Sequence, residues 1–178
     1  MKKWIIIGSI ALFLGAMYVA ISMLLPLMHP KEYLSFQDDS VYFLMTPREL
    51  KRIKGKPFKY VRKDGLSGRT WYYFTEDLYG HEAMGIYRFY RSFFGKQLIH
   101  ANIVINDIEL EDAKDLYEKV VQSLVDYYST QKHYYYNDDY DSDAEFSCSL
   151  GIKSENDPSW TSFYVNYKDG DFSVSADY

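Results

Sequence analysis

The chain has 178 residues, of which 19% are aromatic and 25% charged, with only 10 Gly and 5 Pro. This composition excludes a disordered or low-complexity chain, and the length suits an apolar leader followed by one domain that buries a core without metal or disulfide staples. The formal charge is −5, and the only cysteine, Cys148, excludes an intramolecular disulfide.

After Met1, Lys2 and Lys3, the run from Trp4 to Met28 carries no charge. It is longer than the roughly 20 residues that a helix needs to cross a bilayer, so a transmembrane helix is expected. A cleaved signal peptide is the competing reading. Its only suitable cleavage site, Ala20-Ile21-Ser22, is overrun by further apolar residues, and no Cys follows to carry a lipid. The positive-inside rule places Lys2 and Lys3 in the cytoplasm and everything from about His29 onward outside. The organisation expected is therefore 1–29 as cytoplasmic tip and single-pass anchor, 30–45 as juxtamembrane linker and 46–178 as an extracytoplasmic α+β domain.

Charge divides the remainder. Residues 31–106 hold 13 Lys and Arg against 8 Asp and Glu, while 107–178 hold 5 Lys against 17 acids. Such asymmetry hints at charged partners or at two halves that face each other.

In "MTPRELKRIKGKP", Thr46 as N-cap, Pro47 at the first helical position and Glu49 three residues after the cap form a capping box, and Met45 and Leu50 form a hydrophobic staple. Gly55 and Pro57 end this short helix. Leu50 and Ile53 make its apolar stripe, which leaves Arg48, Lys51, Arg52 and Lys54 on the wet side. Lys51 and Lys54 are thus candidate partner-binding residues, for an anion in particular.

Four strands are expected next: "PFKYVRK", "TWYYFTE", "AMGIYRFYR" and "KQLIHANIVIN". In the last, Ile99, Ala101, Ile103 and Ile105 share one face, with His100 beside Leu98, Asn102 and Val104 on the other. The helix "ELEDAKDLYEKVVQSLVDYYSTQ" follows, with Ala113, Leu116, Tyr117, Val120, Leu124 and Tyr127 at helical spacing. "YYYNDDYDSDAE" reads as an acidic loop. Beyond it, "AEFSCSLGI" alternates Ala144, Phe146, Cys148, Leu150 and Ile152 on one face, with Cys148 read as a buried strand residue. "WTSFYVNYKDGDFSVSADY" is a hairpin about Asp169-Gly170 that pairs Tyr167 with Phe172, Val165 with Val174 and Phe163 with Ala176. Its opposite face carries Tyr164, Asn166, Ser173, Ser175 and Asp177. The fold class expected is α+β: an N-terminal transmembrane helix, then an antiparallel sheet of about seven strands in the order helix, four strands, helix, three strands, with a helix-then-meander unit used twice.

Residues 45–105, through "MTPRELKRIKGKPFKYVRKD", "TWYYF" and "GIYRFYRSFFGKQL", resemble the SmpA/OmlA outer-membrane assembly lipoprotein and β-lactamase inhibitor protein type of domain. Gly55, Pro57 and Trp71 carry the resemblance. It implies a scaffold that binds proteins through one sheet face and performs no chemistry.

A search for catalytic motifs finds no Gly-rich phosphate loop, no zinc spacing of Cys and His, and no Gly-x-Ser-x-Gly. His81-Glu82 starts like a zincin motif, but Gly85 stands where the second His belongs. Asn137, Asp139, Asp141, Asp143 and Glu145 alternate as calcium ligands do. An EF-hand would need Gly at Ser142 and Glu at Cys148, so Asp139, Asp141 and Asp143 are candidates only for weak calcium binding.

Two functions follow as expectations. The first is a membrane-anchored, non-catalytic binding or adaptor module of the cell envelope, with an envelope protein or cell-wall component as partner, no nucleic acid, no cofactor, and Tyr164 on the contact face. The second is a cell-envelope hydrolase that uses carboxylates of the acidic loop.

Overall fold

A computed structural model describes residues 13–15, 17, 34, 40–62, 68–92, 95–129, 134–138, 141–153 and 160–178. The chain divides into two units, residues 1–30 and 31–178.

The transmembrane helix expected over Trp4–Met28 is corrected. Among the described residues no helix is long and apolar enough to cross a membrane, so the single-pass, signal-anchor reading falls with it. Of that run, Phe13–Gly15 and Met17 are described and helical; the rest lies outside the described residues. The physical reason is that an apolar run states only a preference for leaving water, whereas a span also requires one continuous helix of roughly 20 residues.

The second unit is mostly antiparallel sheet. Helix α1 (Pro47–Lys54) and strands β1 (Lys59–Arg62), β2 (Thr70–Leu78), β3 (His81–Ser92) and β4 (Gly95–Ile105) form the first half. Helix α2 (Leu110–Tyr128) and strands β5 (Tyr134–Asp138), β6 (Phe146–Lys153), β7 (Trp160–Lys168) and β8 (Asp171–Asp177) form the second. The strand order is β1-β2-β3-β4-β8-β7-β6-β5. Two helix-then-meander units therefore meet through their last strands, β4 and β8, in antiparallel register with Ile103 opposite Val174.

The sheet has eight strands where about seven are expected. The extra one is β5, which the sequence reading assigns to the acidic loop. Three consecutive tyrosines favour a pleated backbone despite the acids that follow, and β6 supplies the partner, with Tyr135 opposite Gly151 and Asp138 opposite Cys148. The lack of polar alternation that hides this strand is what an edge strand exposed along most of its length produces.

Helix α1 begins as its sequence dictates. Glu49 N–H donates to Thr46 Oγ1 at 3.3 Å, and Thr46 N–H donates to Glu49 Oε2 at 2.7 Å, closing the capping box. Helix α2 buries Ala113, Leu116, Val120, Leu124 and Tyr128, so the last apolar contact falls on Tyr128, and Tyr127 is exposed. Both helices deliver side chains to one core, with Leu50 from α1 and Leu116 from α2 in the cluster that includes Phe89, Ile103, Phe163 and Val174. Core residues also come from the segment before α1. Leu34, Val41, Phe43 and Met45 are buried, and this segment bonds β4, with Leu44 N–H donating to Leu98 O and Leu98 N–H donating to Met45 O.

One face assignment in β4 is corrected. Arg88 pairs with His100 and Phe89 with Leu98, so Ile99 is the extra residue of a bulge. Leu98 therefore turns into the core and Ile99 does not, because a one-residue insertion reverses the alternation of everything before it. The β7–β8 hairpin pairs as expected. Its turn residues Asp169 and Gly170 have φ of 53° and 86°, the two left-handed residues that a type I′ turn requires.

Candidate functional site

Because one core lies on one face of the sheet, the alternation of each strand sends the other residues to the opposite face. Cross-strand register aligns these into rows. One row runs Val61, Trp71, Arg88, His100, Asp177, Ser162, Gly151, Tyr135 across all eight strands. The next runs Lys59, Tyr73, Ile86, Asn102, Ser175, Tyr164, Ser149, Asn137. The β1–β4 side of this face is aromatic and cationic, and the β5–β8 side is rich in Ser and Asn.

The aromatic side is held together by cations on rings. The Arg88 guanidinium lies 5.1 Å from the centre of the Trp71 ring, Lys59 Nζ lies 5.1 Å from that of Tyr73, and the Arg69 guanidinium lies 5.0 Å from that of Tyr90. At the junction of the two halves, His100 Nδ1 meets Asp177 Oδ1 at 2.5 Å. That contact assigns the proton of a neutral ring to Nδ1 and makes Nε2 the acceptor. Four polar atoms on this face, Arg88 Nε, His100 Nε2, Asn102 Oδ1 and Asn166 Oδ1, are buried and find no hydrogen-bond partner among the described residues. Buried polar atoms normally have partners, so these four are exceptions that concentrate on one face.

Tyr164 lies in this face, half-buried between Ser149 and Ser175 in the cross-strand direction. The two lysines of α1 lie elsewhere. Lys51 is exposed, with Nζ 4.8 Å from the centre of the Tyr72 ring. Lys54 is not on the wet side: its Nζ bonds Glu76 Oε2 at 2.8 Å, and the two side chains are only 12% and 6% exposed. Tyr87 OH donates to the other oxygen of Glu76 at 2.8 Å. Lys54 is thus committed inside the domain. The sequence alone hides this because Glu76 is 22 residues away.

Of the calcium candidates, Asp139 lies outside the described residues. Asp141 already accepts bonds at Oδ1 from Asp143 N–H, 3.0 Å, and at Oδ2 from Asn166 Nδ2, 3.3 Å, so its carboxylate closes a local turn and ties it to β7. Asp143 is exposed and lies 3.9 Å from Lys168 Nζ. Among the described residues no group of three or more His, Cys, Asp or Glu is placed to hold a metal ion. His81 and Glu82 are adjacent in β3 and so point to opposite faces.

Cys148 is buried as expected, against the hydroxyls of Tyr117 and Tyr136. Burial pushes its thiol up from the ordinary value. Burial and the neighbouring sulfur push Tyr136 up to about 12, and the same causes push Tyr117 further up. Such a thiol is a packing element and not a nucleophile.

Sequence reasoning missed Arg88 and Asp177 as site residues and read His100 as a surface or satisfied histidine, not a ligand. The available signal was alternation, which already puts His100 beside Asn102 and puts Asp177 beside Tyr164. What joins them is the β4–β8 pairing between residues 77 apart. No protein-family model, no curated protein and no solved structure matches the chain.

Proposed function

We propose that this chain is a non-catalytic protein-binding module whose contact surface is the open face of the eight-stranded sheet. The observation that carries this is that, among the described residues, both helices and the core cluster lie against one face, while rows of Trp, Tyr, Arg, Ser and Asn lie on the other. Tyr and Trp offer large rigid contact area at small entropic cost, and Ser and Asn offer adaptable hydrogen bonds. A Trp–Arg pair beside a His–Asp pair is the kind of cluster in which binding energy concentrates. The resemblance of residues 45–105 to a domain type that binds proteins through a sheet face points the same way.

The test is site-specific photocrosslinking of the intact chain in cells. A benzophenone side chain in place of Tyr73 or Tyr164 is expected to yield a discrete protein adduct, and one in place of Lys119, on α2, is expected to yield none. Adducts formed equally well from Lys119 would refute the assignment of the face.

A further inference from the structure

We propose that the β1–β3 side of the open face is a docking strip for an extended acidic segment of a protein partner, its carboxylates at alternate residues engaging Arg69, Arg88 and Lys59 in succession. This rests on the sheet-face reading and specifies the chemistry of the partner. The strip is built on β2. Arg69, Trp71 and Tyr73 are two residues apart along the chain, and each takes part in one cation-on-ring contact: Arg69 on Tyr90, Arg88 on Trp71 and Lys59 on Tyr73. Arg69 stands just before β2, and alternate residues of a strand are about 6.6 Å apart, so along this line the three contacts recur at every second residue, as the side chains on one side of another extended chain do.

Each cation lies over a ring and, among the described residues, has no counter-charge within ion-pair distance. Among the described residues none of the three forms an ion pair, although Lys54, His100 and Lys168 each meet a carboxylate. Arg88 is the most constrained, with its Nε buried and unpartnered. A guanidinium stacked on an indole has lost most of its conformational freedom already, and its remaining N–H groups match the geometry of a carboxylate. Ordering cost has therefore been met before the partner arrives.

The same cations argue for a peptide over a nucleic acid. A base would need the ring faces that the cations occupy. A long polyanion would also run on toward the half of the chain in which 17 acids oppose 5 lysines, whereas a short acidic segment spans only the strip. Asp177, bonded to His100, marks the end of the cationic zone on the row that contains Arg88.

The experiment measures anisotropy of a fluorescent peptide of alternating Glu and Ser with the full-length chain. Binding is expected, weakened by added salt. It should weaken by about tenfold or more when Lys59, Arg69 and Arg88 are all changed to Ala, since the carboxylates then lose every cation of the strip. Lys51→Ala, on the helix-covered side, should leave affinity unchanged, and circular dichroism should show the triple variant folded. A peptide of equal composition with its glutamates contiguous should bind more weakly, and an alternating Lys and Ser peptide should not bind. These two comparisons use the unaltered chain and stand even if the triple variant fails to fold. No binding, equal binding by the triple variant, or tighter binding of oligothymidylate than of the acidic peptide overturns the proposal. If photocrosslinks from Tyr73 and Tyr164 identify a partner while the acidic peptide fails to bind, the sheet-face reading stands and the acidic strip falls.

Discussion

Replacing Lys54 with Met should be among the most destabilising single changes available on α1, although the residue sits in a run of basic residues that looks solvent-facing. The Lys54–Glu76 pair is 2.8 Å long and its side chains are 12% and 6% exposed. At an effective dielectric of roughly 20, two unit charges at that distance attract by about 6 kcal/mol, and desolvation of the two ions offsets much of it. Removing Lys54 forfeits the attraction and leaves Glu76 desolvated, with the Tyr87 hydroxyl as its remaining side-chain donor among the described residues. Glu76 packs over Gly85, whose missing Cβ makes room for it: a Cβ there would come within 2.7 Å of Glu76 Cγ. The expected loss is about 3 kcal/mol, the cost typical of breaking a buried pair from one side. Adding Glu76→Gln removes the stranded charge and keeps an acceptor for Tyr87, so the double variant should recover about half of the loss. Lys51→Ala, three residues earlier and exposed, should cost less than about 1 kcal/mol. Urea denaturation at neutral pH measures all three. A Lys54→Met loss no larger than that of Lys51→Ala would refute the buried-pair argument.

Thr46→Ala should lower stability by about 1 kcal/mol, because it removes the hydroxyl that accepts the Glu49 N–H and donates to Glu49 Oε2; an unchanged urea midpoint would show that tertiary contacts alone hold the helix start. Gly151→Ala should cost about 1 kcal/mol, since a Cβ there meets the Tyr135 ring and the ring has an exposed edge strand on which to shift. Hydrogen exchange should then rise in β5 and not in β7. Cys148 should resist iodoacetamide in the folded chain and react once the chain is unfolded, because its thiol is buried and its pKa raised. The raised pKa of Cys148 also sets a sign for alkaline stability. The unfolded thiol releases its proton first, so the contribution is complete below the ordinary value of 9.0 and is lost as pH rises through the folded value. Tyr117 and Tyr136, raised in the same way, extend this loss to higher pH, and a thermal midpoint that rose above pH 9 would contradict it.

Local chemistry made several elements legible in advance. The capping box of α1 needs only residues 46 to 49. The Asp169-Gly170 turn sets the register of its hairpin without help from elsewhere, and the 3.6-residue period of α2 selects its buried stripe down to the last turn. At that last turn Tyr128 and not Tyr127 packs against Phe163, their ring centres 4.8 Å apart. The same kind of reasoning failed where apolarity was taken for a complete instruction. The uncharged run near the amino terminus states a transfer preference and leaves the continuity of a helix undecided, and the acidic character of residues 137–145 concealed a strand that needs a neighbour to exist.

The open face belongs wholly to tertiary structure. Alternation within β2, β3, β4 and β8 separates each strand into two sides, and so already sets Trp71, Arg88 and Asp177 apart from their buried neighbours. It does not say which strands lie side by side. Only the bulge at Ile99 brings Leu98 into the core, so that both ends of β4 serve one layer. Only the pairing of β4 with β8 brings His100 to Asp177, and only the return of β2 beneath α1 brings Glu76 to Lys54. Side-chain period is a property of a few consecutive residues and can be read from them, whereas a pair of charges far apart in sequence becomes a pair only when the chain closes the loop between them and the buried core repays that entropy.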